Sequence, residues 1–295
     1  DRVGRIEERM RRSSGSFHAR CEWQQSVFQN FTGMALRLVR PTTCETMNEA
    51  DLEITQTPVP ILYEDEQLIA VAKPSGMFVH RSLADRSATE FIVQNVRDQL
   101  GSFVYPVHRL DRPTSGVLLL AKDPEAAALY GSMFAERKIR KTYLALVRGH
   151  TEDSGTIDRP LVSDKGRGKP ETNPHSVPQE AETEYRTLER FEAPFASGQH
   201  PTSRCALVEA HPKTGRYHQI RRHMFGISHP IIGDAEHGDT KLNRQYQQHA
   251  GVTRLMLAAV RVEFIHPATK KSLTIECPLE DSFVVVVEQL VDGKR

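Results

Sequence analysis

The chain has 295 residues, of which 38% are hydrophobic, enough for one large domain or two ordinary ones with a substantial buried core. Its 39 lysine and arginine residues balance 38 aspartate and glutamate residues to a net charge of +1, which argues against a nucleic-acid binder relying on bulk positive charge. No apolar run approaches the roughly 20 residues of a membrane helix and no secretory signal is visible, so we expect a soluble, cytoplasmic protein. The four cysteines are scattered and lack CxxC spacing, so we expect neither disulfides nor zinc knuckles.

Residues 1–57 form the first distinct segment. They are rich in Arg, Ser, Glu, Gln and Thr and show no sustained apolar periodicity, so we expect a disordered extension outside the fold. The segment starts at Asp1 and could instead be an upstream translation before a start at Met34 or Met47, and both interpretations stay open. Residues 58–295 are expected to form a single folded domain.

The first part of this domain predicts alternating strands and helices. Glu64, Asp65 and Glu66 separate two apolar runs, as the turn of a strand hairpin does. Gly101 stands where a helix would stop, and Asp123 followed by Pro124 is a strong helix start. The predicted elements are, in order, strands over 61–63 and 68–72, a helix over 89–100, a buried strand over 117–121, a helix from Asp123 to about Arg137 and a strand over 143–147.

The second part is predicted to be mainly sheet. Residues 150–180 are dominated by polar residues, glycine and proline, so we expect a long surface excursion that carries no chemistry. The valines of the final apolar segment, 283–291, favour a strand, but its terminal position favours a helix, which is our prediction. Alternating apolar residues predict the intervening strands around Tyr185 and Leu188 and over 205–208, 260–264 and 273–275.

One loop directly before the predicted buried strand holds four ionisable side chains within five residues: His108, Arg109, Asp111 and Arg112. The Pro113–Gly116 run that follows can hold a carboxylate rigidly at the mouth of a sheet. We expect the arginine neighbours to lower the pKa of Asp111 and keep it ionised as a nucleophile or base. A lone Asp–Arg pair would rather be a turn cap with a surface ion pair. The crowding of this loop favours Asp111 as the catalytic carboxylate.

Residues 213–223 form a basic segment with six basic or imidazole side chains among eleven residues. Such a density suits phosphate groups. A helix starting near Tyr217 would place Ile220 and Met224 on one face, so that Arg221 points elsewhere and can reach a carboxylate. The alternative is a solvated basic face, which is common for charge runs.

A second basic segment, 137–143, leads into a strand that presents Tyr143. A tyrosine beside basic residues can stack on a base while its neighbours hold the RNA backbone. Taken by itself, Tyr143 would more simply be a half-buried strand aromatic.

Two weaker features remain. A zinc site on His218 and His223 is disfavoured, because no acidic or cysteine partner accompanies them at metal-site spacing. The polar loop over 229–239 contains glycine and aspartate residues that turn chemistry explains equally well. We therefore assign no metal to this chain.

Taken in order, these segments resemble the RluA-type family of RNA pseudouridine synthases. The family carries a His-Arg-Leu-Asp run, a Lys-x-Tyr strand and a His-Gln-Ile-Arg segment, which match His108–Asp111, Lys141–Tyr143 and His218–Arg221. Its opening Lys-Pro-x-Gly-x-x-Val-His element is similar to Lys73–His80. The resemblance spans about residues 61–290, and several matches in order are far more specific than any single one.

The resemblance implies an α+β fold with a long mixed, mainly antiparallel sheet, flanking helices and a central active-site cleft. It implies that Asp111 is the catalytic aspartate, that Tyr143 stacks on the target uracil and that Arg221 pairs with the aspartate. Arg109 matches an arginine that occupies the space left by the flipped base. The implied reaction detaches uracil from ribose at N1, rotates it and rejoins it through C5, with no metal, nucleotide or redox cofactor and no obligatory protein partner.

Further segments are most similar to family members that modify tRNA, which favours tRNA over ribosomal RNA and implies uridine 65 of the T-arm as the target. These segments are Arg81-Ser82, Asp85-Arg86, His108–Leu119, Lys213–His223 and His229–Asp239. The sequence departs from the family at Leu257–Ala259, where Leu-His-Ala is frequent. Residues 1–57 contain no recognisable S4-type RNA-binding domain, so RNA contacts are expected from the catalytic domain.

Three other functions are compatible with these residues. The first is a synthase of the same family that acts on ribosomal RNA. The second is an RNA-binding module with an inactive site, against which the intact set of Asp111, Tyr143 and Arg221 speaks. The third is a carboxylate-dependent N-glycosidase, which would release free uracil instead of rejoining it.

Overall fold

The computed structural model describes residues 58–80, 90–162, 177–197 and 199–292. The prediction that residues 1–57 lie outside the fold concerns residues outside this described part. The same holds for two of the segments that resemble tRNA-modifying enzymes, Arg81-Ser82 and Asp85-Arg86. None of the helices within the four described ranges has the length and apolar character needed to cross a membrane.

Twelve strands and five helices make up the described part of the chain, numbered here in chain order. The strands are β1 Ile61–Glu64, β2 Leu68–Lys73, β3 Tyr105–Pro106, β4 Ser115–Ala121, β5 Arg140–Arg148, β6 Ser154–Asp158, β7 Leu161–Val162, β8 Pro178–Gln179, β9 Glu182–Ala193, β10 Ser203–Pro212, β11 Leu257–Ile265 and β12 Ser272–Glu276. The helices are α1 Ile92–Leu100, α2 Pro124–Ala135, α3 Gln219–Gly226, α4 Thr240–Ala250 and α5 Asp281–Asp292.

Ten of the described strands form one sheet, and β7 and β8 form a separate pair. The order along the sheet is β1-β2-β4-β11-β5-β10-β9-β6, with β12 on β11 and β3 on β4. Neighbouring strands are antiparallel except β4 and β11, which run parallel with Ser115 opposite Ala258 and Gly116 opposite Ala259. This arrangement confirms the expected α+β fold with a long mixed, mainly antiparallel sheet.

Strand β4 lies at the centre of the core because helices cover both of its faces. All seven of its residues are buried, and successive side chains of a strand point to opposite faces. Val117 and Leu119 pack with Tyr130 of α2 on one side. Leu118 and Leu120 pack with residues of α1 on the other side. The continuous apolar run in the sequence therefore reflects burial on both faces.

The predicted helix boundaries agree closely with the structure. The Asp123 carboxylate accepts the backbone N–H of Ala126, and Pro124 is the first residue of α2. This helix ends at Ala135 because Arg137 adopts a left-handed φ of 60°. Gly101 ends α1 with a φ of 67°, and the final apolar segment forms α5.

The prediction of a long surface excursion over 150–180 missed a sheet strand in its described part. Strand β6 pairs with β9, so that Ser154 lies opposite Arg186 and Asp158 opposite Glu182. Backbone hydrogen bonds hold this edge strand, which therefore needs few apolar side chains and leaves a weak sequence signal. Residues 163–176 lie outside the described residues.

Candidate active site

A cleft of about 490 Å³ opens where three separate segments of the chain meet. The loop before β4 contributes Asp111 and Arg109, β5 contributes Tyr143, and the start of α3 contributes Arg221. All four predicted site residues thus line one cavity, although Arg221 lies 110 positions after Asp111 in the sequence. Its volume falls in the usual range of small-molecule pockets, roughly 300–1,000 Å³.

The structure gives different roles to the ionisable side chains of the loop before β4. His108 Nε2 accepts the backbone N–H of Leu119 at 2.9 Å, which ties the loop to β4. Burial lowers the pKa of His108 to about 3, so this imidazole stays neutral and able to accept. Arg112 Nε donates to the Gly76 carbonyl at 2.9 Å. Of this group, His108, Arg109 and Asp111 line the cleft.

The backbone of the loop is anchored to the turn after β2. Ser75 Oγ donates to the Pro113 carbonyl at 2.8 Å, and the Gly76 N–H donates to the Arg112 carbonyl at 2.9 Å. The fully buried Lys73 Nζ donates to the carbonyls of Pro74, Arg112 and Thr114 at 2.8, 3.0 and 2.8 Å. Burial lowers the pKa of Lys73 to about 7. Lys73 therefore fixes the loop that presents Asp111.

Replacing Lys73 with Met is expected to lower the free energy of unfolding by about 3 kcal/mol or more, because the carbonyls of Pro74 and Thr114 lose the lysine donor, whereas the Arg112 carbonyl keeps the Gly76 N–H. The matched control is Lys122→Met, which removes a partly exposed ion pair with Glu64 and should cost less than about 1 kcal/mol. Urea unfolding of the two variants measures the difference. Equal losses would show that Lys73 does not anchor the loop.

Asp111 lies against the cationic end of Arg221. Arg221 Nη1 is 3.6 Å from Asp111 Oδ2, and His218 Nε2 is 3.9 Å from the same oxygen. The side chain of Asp111 is 19% exposed, so the structure does not support the alternative of a turn cap with a solvated surface ion pair. The backbone does form a turn, with the Thr114 N–H donating to the Asp111 carbonyl at 3.0 Å.

The pKa of Asp111 is raised, opposite to the direction expected from its arginine neighbours. Burial raises this pKa above its ordinary value, and the charges of Arg221 and Arg109 oppose the rise without cancelling it. The expectation from the sequence included the arginines but not the loss of water around the carboxylate. A carboxylate with a raised pKa is a stronger base and nucleophile once it is ionised.

Arg221 makes its closest contacts with a residue that the sequence did not single out. Its Nε and Nη2 donate to the two carboxylate oxygens of Asp234 at 2.7 and 2.8 Å. Nη2 also donates to Glu236 at 3.3 Å. Asp234 belongs to the loop over 229–239, whose glycine and aspartate residues had been explained by turn chemistry. The signals in the sequence were the position of this loop after the basic helix and the resemblance of His229–Asp239 to tRNA-modifying family members.

Tyr143 forms part of the wall beside Asp111. It is half-buried on β5, opposite Ala210 of β10 and Ala259 of β11. Burial raises the pKa of Tyr143, and the nearby charge of Asp111 raises it further, so the phenol stays protonated at neutral pH. Tyr143 is therefore both a half-buried aromatic residue of a strand and part of the cleft lining.

Aromatic and basic side chains form the rim of the cleft. The Arg109 guanidinium lies over the ring of Tyr217, 5.9 Å from its centroid, and that ring stacks on His218 with centroids 3.7 Å apart. The two basic segments predicted from the sequence both reach the cleft, through Arg137, Lys141, Lys213 and Arg216. This distribution gives a basic lining suited to the phosphates of a polynucleotide.

Other members of the basic segment 213–223 support the fold. His223 is fully buried, bonded to Thr183 Oγ1 at 2.9 Å and to the Arg159 carbonyl at 3.0 Å, away from His218. Within the described residues, His218, Glu236 and His237 place possible metal ligand atoms within 4.8 Å of one another. In this structure His218 Nδ1 and His237 Nε2 are instead hydrogen-bonded at 3.0 Å.

Two solved human structures share this fold. RNA Pseudouridylate Synthase Domain Containing 1 superposes with a TM-score of 0.60 and 24% identity, covering 80% of this chain and 94% of the human chain. RNA Pseudouridylate Synthase Domain Containing 4 superposes with a TM-score of 0.59 and 26% identity, covering 79% and 93%. At 24% identity, the similarity to the first of these human proteins shows a shared fold only.

Two bacterial relatives, both named tRNA pseudouridine synthase C, are similar over most of this chain. The protein from Pasteurella multocida is 48% identical over 221 residues, which cover 73% of this chain and 89% of the relative. The protein from Pectobacterium carotovorum is 47% identical over 234 residues, which cover 79% of this chain but 62% of the relative's length.

The family described as RNA pseudouridylate synthase matches residues 67–225, more than half of the chain. This stretch contains Asp111, Tyr143 and Arg221, which meet in the cleft. The family match, the identity to the two bacterial relatives and the shared fold agree with one another. The chain therefore belongs to the RNA pseudouridylate synthase family.

Proposed function

We propose that this protein converts a specific uridine of tRNA to pseudouridine. The uracil is detached from its ribose at N1, rotated within the cleft and rejoined through C5, which loses its proton while N1 gains one. The observation that carries this proposal is the meeting of Asp111, Arg221 and Tyr143 in a cleft of about 490 Å³ with a basic rim. A carboxylate, an aromatic wall and phosphate-binding cations are what a base-flipping isomerase requires.

In this proposal Asp111 is the catalytic residue. Attack on ribose C1′ and attack on uracil C6 both require an ionised carboxylate, and Arg221 supplies a charge 3.6 Å away that favours this form. The raised pKa of Asp111 then increases its reactivity toward the nucleotide. The chemistry proceeds on the substrate's own atoms, so the proposal needs no cofactor.

The target uridine must leave its base stack to reach Asp111. Extruding a base costs a few kcal/mol, which new contacts in the cleft must offset. We assign stacking on the uracil to Tyr143 and contact with the RNA backbone to the basic rim. Arg109 is exposed at the mouth of the cleft, and we assign to it the role of filling the space that the extruded base leaves in the RNA.

Replacing Tyr143 with Leu is expected to raise KM for tRNA about tenfold or more, because base–aromatic stacking contributes roughly 1–3 kcal/mol per base. Tyr143→Phe is the matched control, since it keeps the ring and should change KM by less than about threefold. Steady-state kinetics on a tRNA transcript separate the two variants. A KM that rises equally in both would assign the role of Tyr143 to its hydroxyl instead of its ring.

The names of the bacterial relatives support tRNA as the substrate. The resemblance of the sequence to tRNA-modifying members further favours uridine 65 of the T-arm, and the presence of tRNA favours a cytoplasmic reaction. Mapping pseudouridine in tRNA and ribosomal RNA from cells with and without this gene tests the assignment. Loss of one T-arm pseudouridine supports it, whereas loss of a ribosomal pseudouridine alone would make the protein a ribosomal RNA synthase.

A further inference from the structure

Asp234 is held rigidly in the loop between α3 and α4. Its side chain is fully buried, and its Oδ1 accepts the backbone N–H groups of Glu236 and His237 at 2.9 and 3.0 Å. Asn243 of α4 braces the same loop, donating from Nδ2 to the Asp234 carbonyl at 2.9 Å and accepting the Gly233 N–H at 3.0 Å. The carboxylate therefore has a fixed place and orientation.

Asp234 occupies two of the three nitrogen atoms of the Arg221 guanidinium. The third, Nη1, is buried and has no hydrogen-bond partner, although it lies 3.6 Å from Asp111 Oδ2. A planar guanidinium held on one edge by two hydrogen bonds cannot rotate toward another carboxylate. The contact with Asp111 is thus a single long approach instead of a bidentate pair.

One arginine charge is therefore shared among three carboxylates: Asp234, Asp111 and, through the 3.3 Å contact of Nη2, Glu236. Burial on its own would raise the pKa of Asp234, but the hydrogen bonds from Arg221 and the His237 amide lower it overall, so Asp234 is ionised at neutral pH. Its negative charge offsets part of the charge of Arg221. Asp111 receives the remainder, together with the contribution of Arg109.

We propose that Asp234 is a positioning residue for the isomerisation, which holds Arg221 so that one guanidinium nitrogen faces Asp111 and the carboxylate of Asp111 stays available to the nucleotide. This inference rests on the proposed function. Asp234 acts through Arg221 and touches neither the substrate nor Asp111. Without it, Arg221 would turn its freed nitrogen atoms toward Asp111, pair with both of its oxygens and make it a weaker base.

The test is Asp234→Asn, which keeps the shape of the side chain and removes its charge. We expect kcat to fall about 10- to 100-fold, because the displaced Arg221 guanidinium disturbs the reacting carboxylate of Asp111. KM for tRNA should stay within about twofold of wild type, because the basic rim of the cleft is unchanged. The acid limb of the pH–rate profile should move down by about one unit, since Asp111 gains more of the arginine charge once Arg221 no longer pairs with an ionised Asp234.

Asn243→Ala is the matched control, because it loosens the same loop without touching Arg221. It should lower the melting temperature and leave the acid limb at its wild-type pH. Asp234→Glu, which keeps the charge, should retain the wild-type acid limb as well. This second variant carries the test if the Asn variant does not fold, and a shifted limb in it would overturn the proposal.

Two further results would overturn the role of Asp234. The first is an Asp234→Asn enzyme with the wild-type kcat and pH profile. The second is an equal shift of the acid limb in Asn243→Ala, which would assign the effect to the loop and not to the charge. Both are read against an active wild-type enzyme. A wild type that forms no pseudouridine in tRNA would contradict the proposed function instead.

Discussion

Replacing Asp111 with Asn is expected to reduce pseudouridine formation at least about 1,000-fold while tRNA binding stays within a few-fold of wild type. The amide keeps the shape of the side chain and its place beside Arg221 but cannot act as an ionised nucleophile or base. The basic rim, which contributes most of the RNA affinity in this account, is unchanged. Gel-shift titration and release of the C5 hydrogen from labelled uridine measure binding and turnover separately.

The matched control for this variant is Asp153→Asn, an equivalent change at a surface carboxylate that pairs with Arg190 and is 93% exposed. It should leave both turnover and binding at wild-type values. Turnover by Asp111→Asn equal to that of wild type would exclude the proposed mechanism. Parallel loss of tRNA binding would show that Asp111 contributes to affinity as well as to chemistry.

The second large effect is expected at Gly116, the second residue of β4, which follows the loop that presents Asp111. Its φ of +117° is unfavourable for any side chain, and a Cβ placed there would lie 2.0 Å from the backbone oxygen of Ala259. Gly116→Ala therefore has to push β4 away from β11 or change the backbone of the loop. We expect a loss of at least about 3 kcal/mol in the free energy of unfolding, with activity falling because Asp111 moves.

Gly131→Ala is the same chemical change at a site where we expect the free energy of unfolding to rise instead of fall. Gly131 lies inside α2, and a Cβ added to it meets nothing within 4 Å. Alanine is the better helix former, so this variant should be stabilised by about 0.5–1 kcal/mol. Urea unfolding measures both variants. A Gly116→Ala protein as stable as wild type would mean that β4 and β11 can separate without cost.

Local signals in the sequence predicted most of the fold. The capping aspartate and proline at the start of α2, the glycine after α1 and the apolar run of β4 each depend on neighbours within a few residues. Strand β6 was missed because backbone pairing with β9 holds it, and such pairing leaves little trace in side-chain composition.

The same distinction holds for the candidate site: residues in distinctive local segments could be predicted, and those that depend on contacts with distant residues could not. Asp111, Tyr143 and Arg221 could be predicted because each lies in a distinctive local segment. Asp234 could not, because its role depends on facing Arg221, which lies 13 positions earlier in the sequence, and on complete burial. The pKa of Asp111 was predicted in the wrong direction for a related reason, since the extent of its burial is a property of the assembled cleft.

The most direct test of the central claim uses the purified full chain and unmodified tRNA transcripts, with the Asp111→Asn protein in parallel. Pseudouridine is located by position, and free uracil is measured in the same reaction. We expect the wild-type protein to form pseudouridine at one T-arm position without releasing uracil, and the Asn protein to form none. Free uracil without pseudouridine would identify an N-glycosidase, and bound tRNA with neither product would leave only an RNA-binding protein; either result would contradict the proposed isomerisation.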